Sequence, residues 1–257
     1  MRLSVSHSTA LETLILTEQV RVDAIEWVDE LSLTEIESGR SRLKGLSAHF
    51  HPGSVRFSEA GLRHLTNYLA ACPESEVLSI HLTLLPRWIS QPALKLGLHM
   101  PDWGGCGAVE RFISQVRWLQ DQFNLPVILE NMRALHPSRY RYETEPDNIR
   151  RVLADTGCEL LLDLAHARIA AEARQMDVRE YLKQLPLELT RQIHVNGARP
   201  DPRTGRLADA HESMREEDFE LLEWILARAN PRWLTFEYFR EEPEILKAQL
   251  NRLSQFL

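Results

Sequence analysis

Imidazole and carboxylate side chains recur in this sequence directly after short runs of aliphatic residues. The side chains of this kind are His49, His51, His81, Glu130, Asp163, His166, His194, Asp209, His211 and Glu237. Several of the carboxylates follow residues that belong in a protein core, where an unpaired charge is costly. Carboxylates that converge in one cavity repel one another or bind protons unless a cation balances their charge. The pattern therefore predicts a bound metal.

The donor types restrict which metal this is. Nitrogen and oxygen donors without thiolates suit Fe(II), Mn(II), Zn(II) or Co(II), and they disfavour an iron–sulfur cluster or a structural zinc cage. One complete site could be built from Glu130, Asp163, His194 and Glu237. The donors that remain leave room for a second or a third ion. We predict two or more metal ions, and the alternative is a mononuclear site with additional histidines that bind substrate.

The donors need a fold that brings them together. Eight aliphatic or β-branched runs alternate with segments of helical spacing along the whole chain. The runs are Leu3–Ser6, Asp23–Val28, Gly45–Phe50, Glu76–Leu82, Pro126–Asn131, Glu159–Leu164, Arg191–Val195 and Trp233–Phe239. This alternation predicts one parallel (β/α)8 barrel, a TIM barrel, over residues 1–257, and an open doubly wound sheet is the alternative. In a barrel, the carboxyl ends of the strands form one mouth, where the donors would meet.

Composition and charge exclude several other classes of protein. The chain has 257 residues, 44% of them hydrophobic, and a formal net charge of -7. An acidic chain without blocks of like charge is not expected to bind nucleic acid or a membrane surface through electrostatics. No apolar run is long enough to predict a membrane span. The separated cysteines Cys72, Cys106 and Cys158 argue against a disulfide framework and favour a reducing cytoplasm.

The donor motifs resemble those of known families. Glu, Asp, His and Glu at the ends of strands five to eight resemble the metal site of the xylose isomerase-like TIM barrels, which include sugar isomerases, epimerases and apurinic-site endonucleases. A more specific resemblance, to the multinuclear non-haem iron-dependent oxidative enzymes (MNIO), covers the C-terminal half. Its motifs are Leu160–Asp163, Gln192–His194 with Asn196–Gly197, Asp209–His211 and Thr235–Glu237, together with the strand motifs that contain His49, His81 and Glu130.

The second resemblance implies a centre of two or three iron ions that uses dioxygen to oxidise a substrate. In that family the target is typically cysteine or another residue of a ribosomally made peptide, often presented by a partner protein. The metal ligands that it implies are His49, His81, Glu130, Asp163, His194, Asp209, His211 and Glu237. This chain departs from the family at three places. His166 stands where the family usually has Asn, Ala198 stands where it often has His, and His51 competes with His49 for a ligand position.

Two catalytic schemes use the same side chains. In the oxidative scheme, the catalytic residues at an iron centre are Glu130, Glu237 and His166. In a sugar isomerase or epimerase, or a related metal-dependent hydrolase, the metal would be Mn or Zn, and Glu130 and Glu237 would exchange protons with the bound substrate. A metal-free binding barrel would instead need basic partners for every carboxylate.

Further residues are predicted to meet the substrate, which would be a small molecule or a peptide. Arg139 and Arg141 follow strand five, so they are predicted to bind it at the mouth together with His51. The long connection from Thr83 to Gly107, which contains Cys106, is predicted to be a lid over the mouth.

Overall fold

Eight parallel strands form the sheet around which the other elements pack. The computed structural model describes residues 1–84, 107–133 and 142–257. The strands are β1 (Arg2–Ser6), β2 (Ala24–Val28), β3 (Ser47–His51), β4 (Leu78–His81), β5 (Val127–Glu130), β6 (Glu159–Asp163), β7 (Thr190–Val195) and β10 (Trp233–Phe236). They are hydrogen-bonded in the order β3-β2-β1-β10-β7-β6-β5-β4. A bridge between Gly53 and Ile80 joins the two ends of this order. The predicted (β/α)8 barrel is confirmed.

Helices cover the outside of the barrel. They are α1 (Thr9–Leu16), α2 (Leu33–Arg42), α3 (Glu59–Ala71), α4 (Ala108–Gln122), α5 (Pro146–Thr156), α6 (Leu164–Ala173), α7 (Val178–Leu182), α8 (Glu216–Leu226) and α9 (Pro243–Leu253). Each amphipathic helix places an apolar stripe on the sheet; α4, for example, buries Val109, Phe112, Val116 and Leu119. Among the residues that the structure describes, no helix combines the length and the apolar character that crossing a membrane requires.

The strand register aligns donor residues at the carboxyl ends of the strands. His81 on β4 lies beside Glu130 on β5, and Asp163 on β6 lies beside His194 on β7. Strands of a parallel barrel are covered on both faces, so they consist mostly of apolar residues and admit few polar ones. All four residues of β5 are buried, including its last residue, Glu130. The fold therefore concentrates its buried charge at the mouth.

A two-stranded hairpin follows β7. Its strands are β8 (Gly197–Pro200) and β9 (Leu207–Glu212), and they pair antiparallel. The register shifts beside Gly197, because Gly197 pairs with Glu212 while Ala198 pairs with Asp209. A side chain at Gly197 would place its Cβ 2.2 Å from the carbonyl oxygen of Ser213, so only glycine fits there. The resulting bulge leaves His211 at φ 47°, a conformation that is uncommon for a residue with a side chain.

Part of the predicted substrate-binding surface lies outside the described residues. This applies to Arg139 and Arg141 and to most of the predicted lid, including Cys106, because residues 85–106 and 134–141 are not described. The roles that the sequence suggests for these residues stay predictions.

Candidate metal centre

Imidazoles and carboxylates from six of the barrel strands meet at the barrel mouth, together with the residue that follows β10, one residue of α6 and two of β9. We call this set the mouth cluster. Its members are Glu26, His51, His81, Glu130, Asp163, His166, His194, Asp209, His211 and Glu237. All but one of them were singled out from the sequence, and the exception is Glu26.

Glu130 lies at the centre of one half of the mouth cluster. Its Oε2 atom is 3.1 Å from His51 Nε2 and 3.2 Å from His81 Nε2. Its Oε1 atom is 3.0 Å from His166 Nδ1. Despite these short distances, Oε2 is buried and has no hydrogen-bond partner. An unsatisfied buried acceptor is costly, and a cation shared by the carboxylate and the imidazoles would remove that cost.

The two imidazoles that face Oε2 of the central carboxylate are oriented by serine hydroxyls. His51 Nδ1 is 2.7 Å from Ser79 Oγ, and His81 Nδ1 is 3.3 Å from Ser54 Oγ. Gly53 has φ 60°, and a Cβ there would lie 3.2 Å from the His81 ring. Partners on the far nitrogen fix the orientation of a metal-binding imidazole, so these contacts leave both Nε2 atoms directed at the cluster.

Asp163 and His166 are positioned by the start of α6. Asn131 clamps the end of β6, because its Oδ1 accepts from the Asp163 N–H at 2.8 Å and its Nδ2 donates to the Asp163 carbonyl at 3.0 Å. Asp163 Oδ1 then caps the helix by accepting from the His166 N–H at 2.6 Å. The other oxygen, Oδ2, is buried without a hydrogen-bond partner. Asp163 thus combines a structural oxygen with one that is open to a metal.

His194 lies between two carboxylates in the other half of the mouth cluster. Its Nε2 atom is 3.3 Å from Glu26 Oε2, and its Nδ1 atom is 3.2 Å from Glu237 Oε1. Nδ1 is buried and has no hydrogen-bond partner. Gln192 braces the arrangement, because its Nε2 atom is 2.9 Å from both Glu26 Oε2 and His194 Nε2. The rings of His51 and His194 are 5.2 Å apart, which joins the two halves.

The hairpin contributes Asp209 and His211. Asp209 Oδ2 is 3.2 Å from His166 Nε2 and 3.4 Å from His211 Nε2, and it also accepts a hydrogen bond from Arg133 Nη1. His211 Nε2 is 3.7 Å from Glu237 Oε2. The strained backbone of His211 is therefore the means by which the hairpin reaches both halves of the mouth cluster.

His49, which was also expected to bind metal, lies beside Glu26 in the strand register but makes no ion-pair contact with the mouth cluster among the described residues. Its ring packs edge-on against Trp233, with the ring centroids 4.4 Å apart. Strand β3 extends one residue beyond the predicted end, to His51, so His51 takes the position at the mouth. His49 Nε2 is buried without a hydrogen-bond partner, and burial lowers the pKa of this imidazole.

Glu26 is the member of the mouth cluster that the sequence reading missed. It interrupts the run Ala24–Val28 as a single carboxylate among buried residues, and its exposure is only 1%. The same signal, a lone carboxylate at a buried position of a strand, drew attention to Glu130. A lone carboxylate at a buried strand position therefore marks Glu26 as well as Glu130.

The protonation of the mouth cluster follows from its crowding. Burial alone would raise the pKa of Glu130, but His81, His166 and His51 outweigh it and hold that pKa well below its usual range. Burial alone would lower the pKa of His194, but Glu26 and Glu237 outweigh burial and hold that pKa well above its usual range. Asp163 behaves differently, because burial raises its pKa to about 8 and the nearby carboxylates add to that rise. Without a bound cation, Asp163 therefore keeps a proton at neutral pH.

We expect the stabilising effect of bound metal to grow as the pH rises from about 6 to about 8. Asp163 has a raised pKa in the fold, so the metal-free protein loses stability as this group loses its proton. The raised pKa of His194 acts in the same direction, because its stabilising effect is lost as the pH rises through its folded-state pKa. A metal displaces these protons, so it binds more tightly at higher pH.

The measurement is the difference in Tm between Mn(II)-loaded and metal-free protein at several pH values in this range. Asp163→Asn should flatten the pH dependence in the metal-free protein. A difference in Tm that stays constant or narrows with rising pH would contradict the expectation.

The donor geometry fits divalent cations. Within the described residues, three groups have donor atoms within 4.8 Å of one another: His51, Glu130 and His194; Glu26, His194 and Glu237; and Glu130, Asp163 and His166. Each group combines imidazole nitrogen with carboxylate oxygen, which suits Fe(II), Mn(II) or Zn(II). The buried atoms without hydrogen bonds, Glu130 Oε2, Asp163 Oδ2 and His194 Nδ1, belong to these groups. The predicted metal-binding character of the mouth is supported.

Comparison with known sequences identifies related proteins. Residues 53–256 match the family model described as RiPP precursor modification enzyme MbnB/TglH/ChrH. A UPF0276 protein of Paraburkholderia phytofirmans is 29% identical over 147 residues, which are 55% of this chain and 48% of the relative. A UPF0276 protein of Bordetella pertussis is 33% identical over 133 residues, 48% of this chain and 44% of the relative. The chain thus spans about half the length of the curated relatives that it matches.

Solved structures show the same fold. The 3-keto-D-glucoside 4-epimerase YcjR of E. coli matches with a TM-score of 0.60 at 14% identity, covering 100% of this chain and 98% of that one. A xylose isomerase-like TIM barrel protein of Mycobacterium smegmatis, in complex with magnesium, has a TM-score of 0.56 at 15% identity, covering 99% and 96%. The barrel is therefore of the xylose isomerase-like type.

Proposed function

Because the chain belongs to the family of RiPP precursor modification enzymes MbnB/TglH/ChrH, we propose that it is an iron-dependent enzyme that uses dioxygen to oxidise a peptide. The centre would hold two or more iron ions, and the preferred target would be a cysteine side chain. One observation carries the proposal: a fully buried carboxylate, Glu130, meets the imidazoles of His51, His81 and His166 while its Oε2 atom makes no hydrogen bond.

The ligands of the centre are drawn from the mouth cluster. Glu130 has an imidazole contact at each oxygen, so each oxygen could join an imidazole in holding a metal ion. His51 replaces His49 in the ligand set that the sequence suggested. We propose that metal is held by His51, His81, Glu130, Asp163, His166, His194 and Glu237, and that Asp209 and His211 lie beside these ligands.

When bound, iron would supply the redox chemistry that transfers electrons from the substrate to dioxygen. The residues of the chain exclude water and position a proton. The burial of Glu130, Asp163 and His194 keeps water away from the reacting atoms. His166 has a raised pKa, because Asp163, Asp209 and Glu130 outweigh its burial. Its Nε2 atom lies 3.2 Å from Asp209 Oδ2, so this nitrogen is placed to hold a proton beside Asp209.

The substrate and its delivery are part of the same proposal. A peptide would enter at the mouth, where the hairpin residue Asp209 and the neighbouring Arg133 lie, and a partner protein would present it. His51, a suggested substrate contact, is instead proposed as a ligand because its exposure is only 5%. Arg139 and Arg141 remain proposed substrate contacts.

The test is anaerobic reconstitution of the metal-free protein with Fe(II), followed by metal analysis and Mössbauer spectroscopy before and after exposure to air. We expect at least two iron ions per chain and a spectrum that changes with dioxygen. Reconstitution with Mn(II) gives the matched oxygen-insensitive control. A single tightly bound Mn(II) or Zn(II) ion, with epimerase activity on a ketose that is the same with and without oxygen, would reject the proposal in favour of an isomerase or epimerase.

A further inference from the structure

We propose that the Arg133 guanidinium takes the place of a third metal ion beside Asp209, so that this chain binds two metal ions. The inference rests on the proposed function, because it concerns the number of ions in the same centre. It assigns a role to a residue that neither the sequence motifs nor the donor groups include.

The first argument is the geometry around Asp209. Its Oδ2 atom faces His166 and His211 at 3.2 and 3.4 Å, which is a donor set of the kind that binds metal. The same oxygen already accepts a hydrogen bond from Arg133 Nη1. The Asp209 side chain is 2% exposed, whereas the Arg133 side chain is 30% exposed, so the guanidinium reaches into the cluster from the rim.

The second argument is the contrast with the other carboxylates. Among the residues that the structure describes, Arg133 is the only arginine or lysine in ion-pair contact with a carboxylate of the mouth cluster. In the described part of the chain, Glu130 Oε2 and Asp163 Oδ2 have neither an arginine or lysine partner nor a hydrogen bond. Arg133 therefore already supplies a cation to Asp209, whereas no guanidinium or ammonium group of the described residues pairs with Glu130 or Asp163.

The third argument is charge. The mouth cluster buries five carboxylates, which are Glu26, Glu130, Asp163, Asp209 and Glu237. Arg133 offsets one of their negative charges, and two divalent cations offset the other four. A third divalent cation beside Arg133 would leave two uncompensated positive charges in a buried site, which is costly. Without Arg133, the charge left over is one whether two or three ions are bound, so this penalty no longer excludes the third ion. The three donor groups also share Glu130 and His194, so they do not form three independent sites.

The fourth argument concerns what happens when the guanidinium is removed. Asp209 Oδ1 is buried without a hydrogen-bond partner, and Oδ2 would lose its basic partner. Both oxygens would then be available to a cation, with His166 and His211 beside them. Removal of Arg133 should therefore create a site for a third ion.

The test counts metal ions by native mass spectrometry after anaerobic loading with Fe(II) and, separately, with Mn(II). We expect two ions in the wild-type protein, three in Arg133→Ala, and two in Arg133→Lys, which keeps the charge. Arg252→Ala is the matched control, because Arg252 pairs with Glu216 at 2.6 Å outside the cluster, and it should bind two.

Three ions in the wild-type protein or in Arg133→Lys would overturn the inference, as would two ions in Arg133→Ala. If Arg133→Ala does not fold, the wild-type and Arg133→Lys counts still decide the question. Failure of all four proteins to bind Fe(II) or Mn(II) would instead reject the proposed function.

Discussion

Glu130→Ala is expected to reduce the bound metal from two ions to at most one and to weaken the affinity for the remaining ion by more than about 100-fold. The reason is its position, because its two oxygens face three imidazoles. Without the carboxylate, these imidazoles would have to hold a divalent cation without the negative charge that balances it. The imidazoles would also lose the contact that keeps them together. Metal content by mass spectrometry and the Kd for Mn(II) by calorimetry measure the effect.

Glu130→Gln separates charge from shape in the same experiment. Glutamine keeps the size of the side chain and one acceptor oxygen, so a loss of metal in this variant identifies the charge as the cause. Glu241→Gln is the control, because Glu241 accepts hydrogen bonds from the backbone of Thr9 and Ala10, outside the mouth cluster. Retention of two ions with wild-type affinity in Glu130→Ala would show that the centre is not built on Glu130.

Much of the centre was predictable because all the strands of a parallel barrel end at the same face. The carboxyl ends of all strands face one side, so Glu130, Asp163, His194 and Glu237 could be placed together from their positions after aliphatic runs. No knowledge of the side-chain contacts was needed for that step. The strand register then sets the neighbours, such as His81 beside Glu130.

The parts that could not be predicted depend on single residues and on tertiary contacts. His49 and His51 share a face of β3, and which of them reaches the mouth depends on where the strand ends, a difference of one residue. The bulge that presents His211 arises from the close packing of Gly197 against the carbonyl of Ser213, a contact across the hairpin that no sequence pattern marks. Contacts between loops, such as that between Arg133 and Asp209, leave no periodic pattern.

Glu26 is visible in the sequence as a lone carboxylate in a buried strand, and the structure shows that it contacts His194. Its Oε2 atom lies 3.3 Å from His194 Nε2, while His194 Nδ1 faces Glu237 without a hydrogen bond. This arrangement lets Nε2–H donate to Glu26 and leaves the lone pair of Nδ1 for a metal. A carboxylate on the far nitrogen fixes the tautomer and strengthens the imidazole as a ligand, so Glu26 is proposed as a positioning residue.

Glu26→Ala is therefore expected to weaken the binding of one metal ion by about 10- to 100-fold, with a smaller loss in Glu26→Gln, which keeps an acceptor oxygen. The Kd for Mn(II) across the pH range distinguishes this role from a purely structural one. Without the carboxylate, the pKa of His194 falls, and protons compete less strongly with metal at low pH. The affinity of Glu26→Ala should thus depend less on pH than that of the wild type.

Glu76→Gln, which removes a carboxylate paired with Arg2 outside the mouth cluster, should change neither the affinity nor its pH dependence. An unchanged pH dependence in Glu26→Ala, together with a lower Tm of the metal-free protein, would assign Glu26 to barrel stability instead.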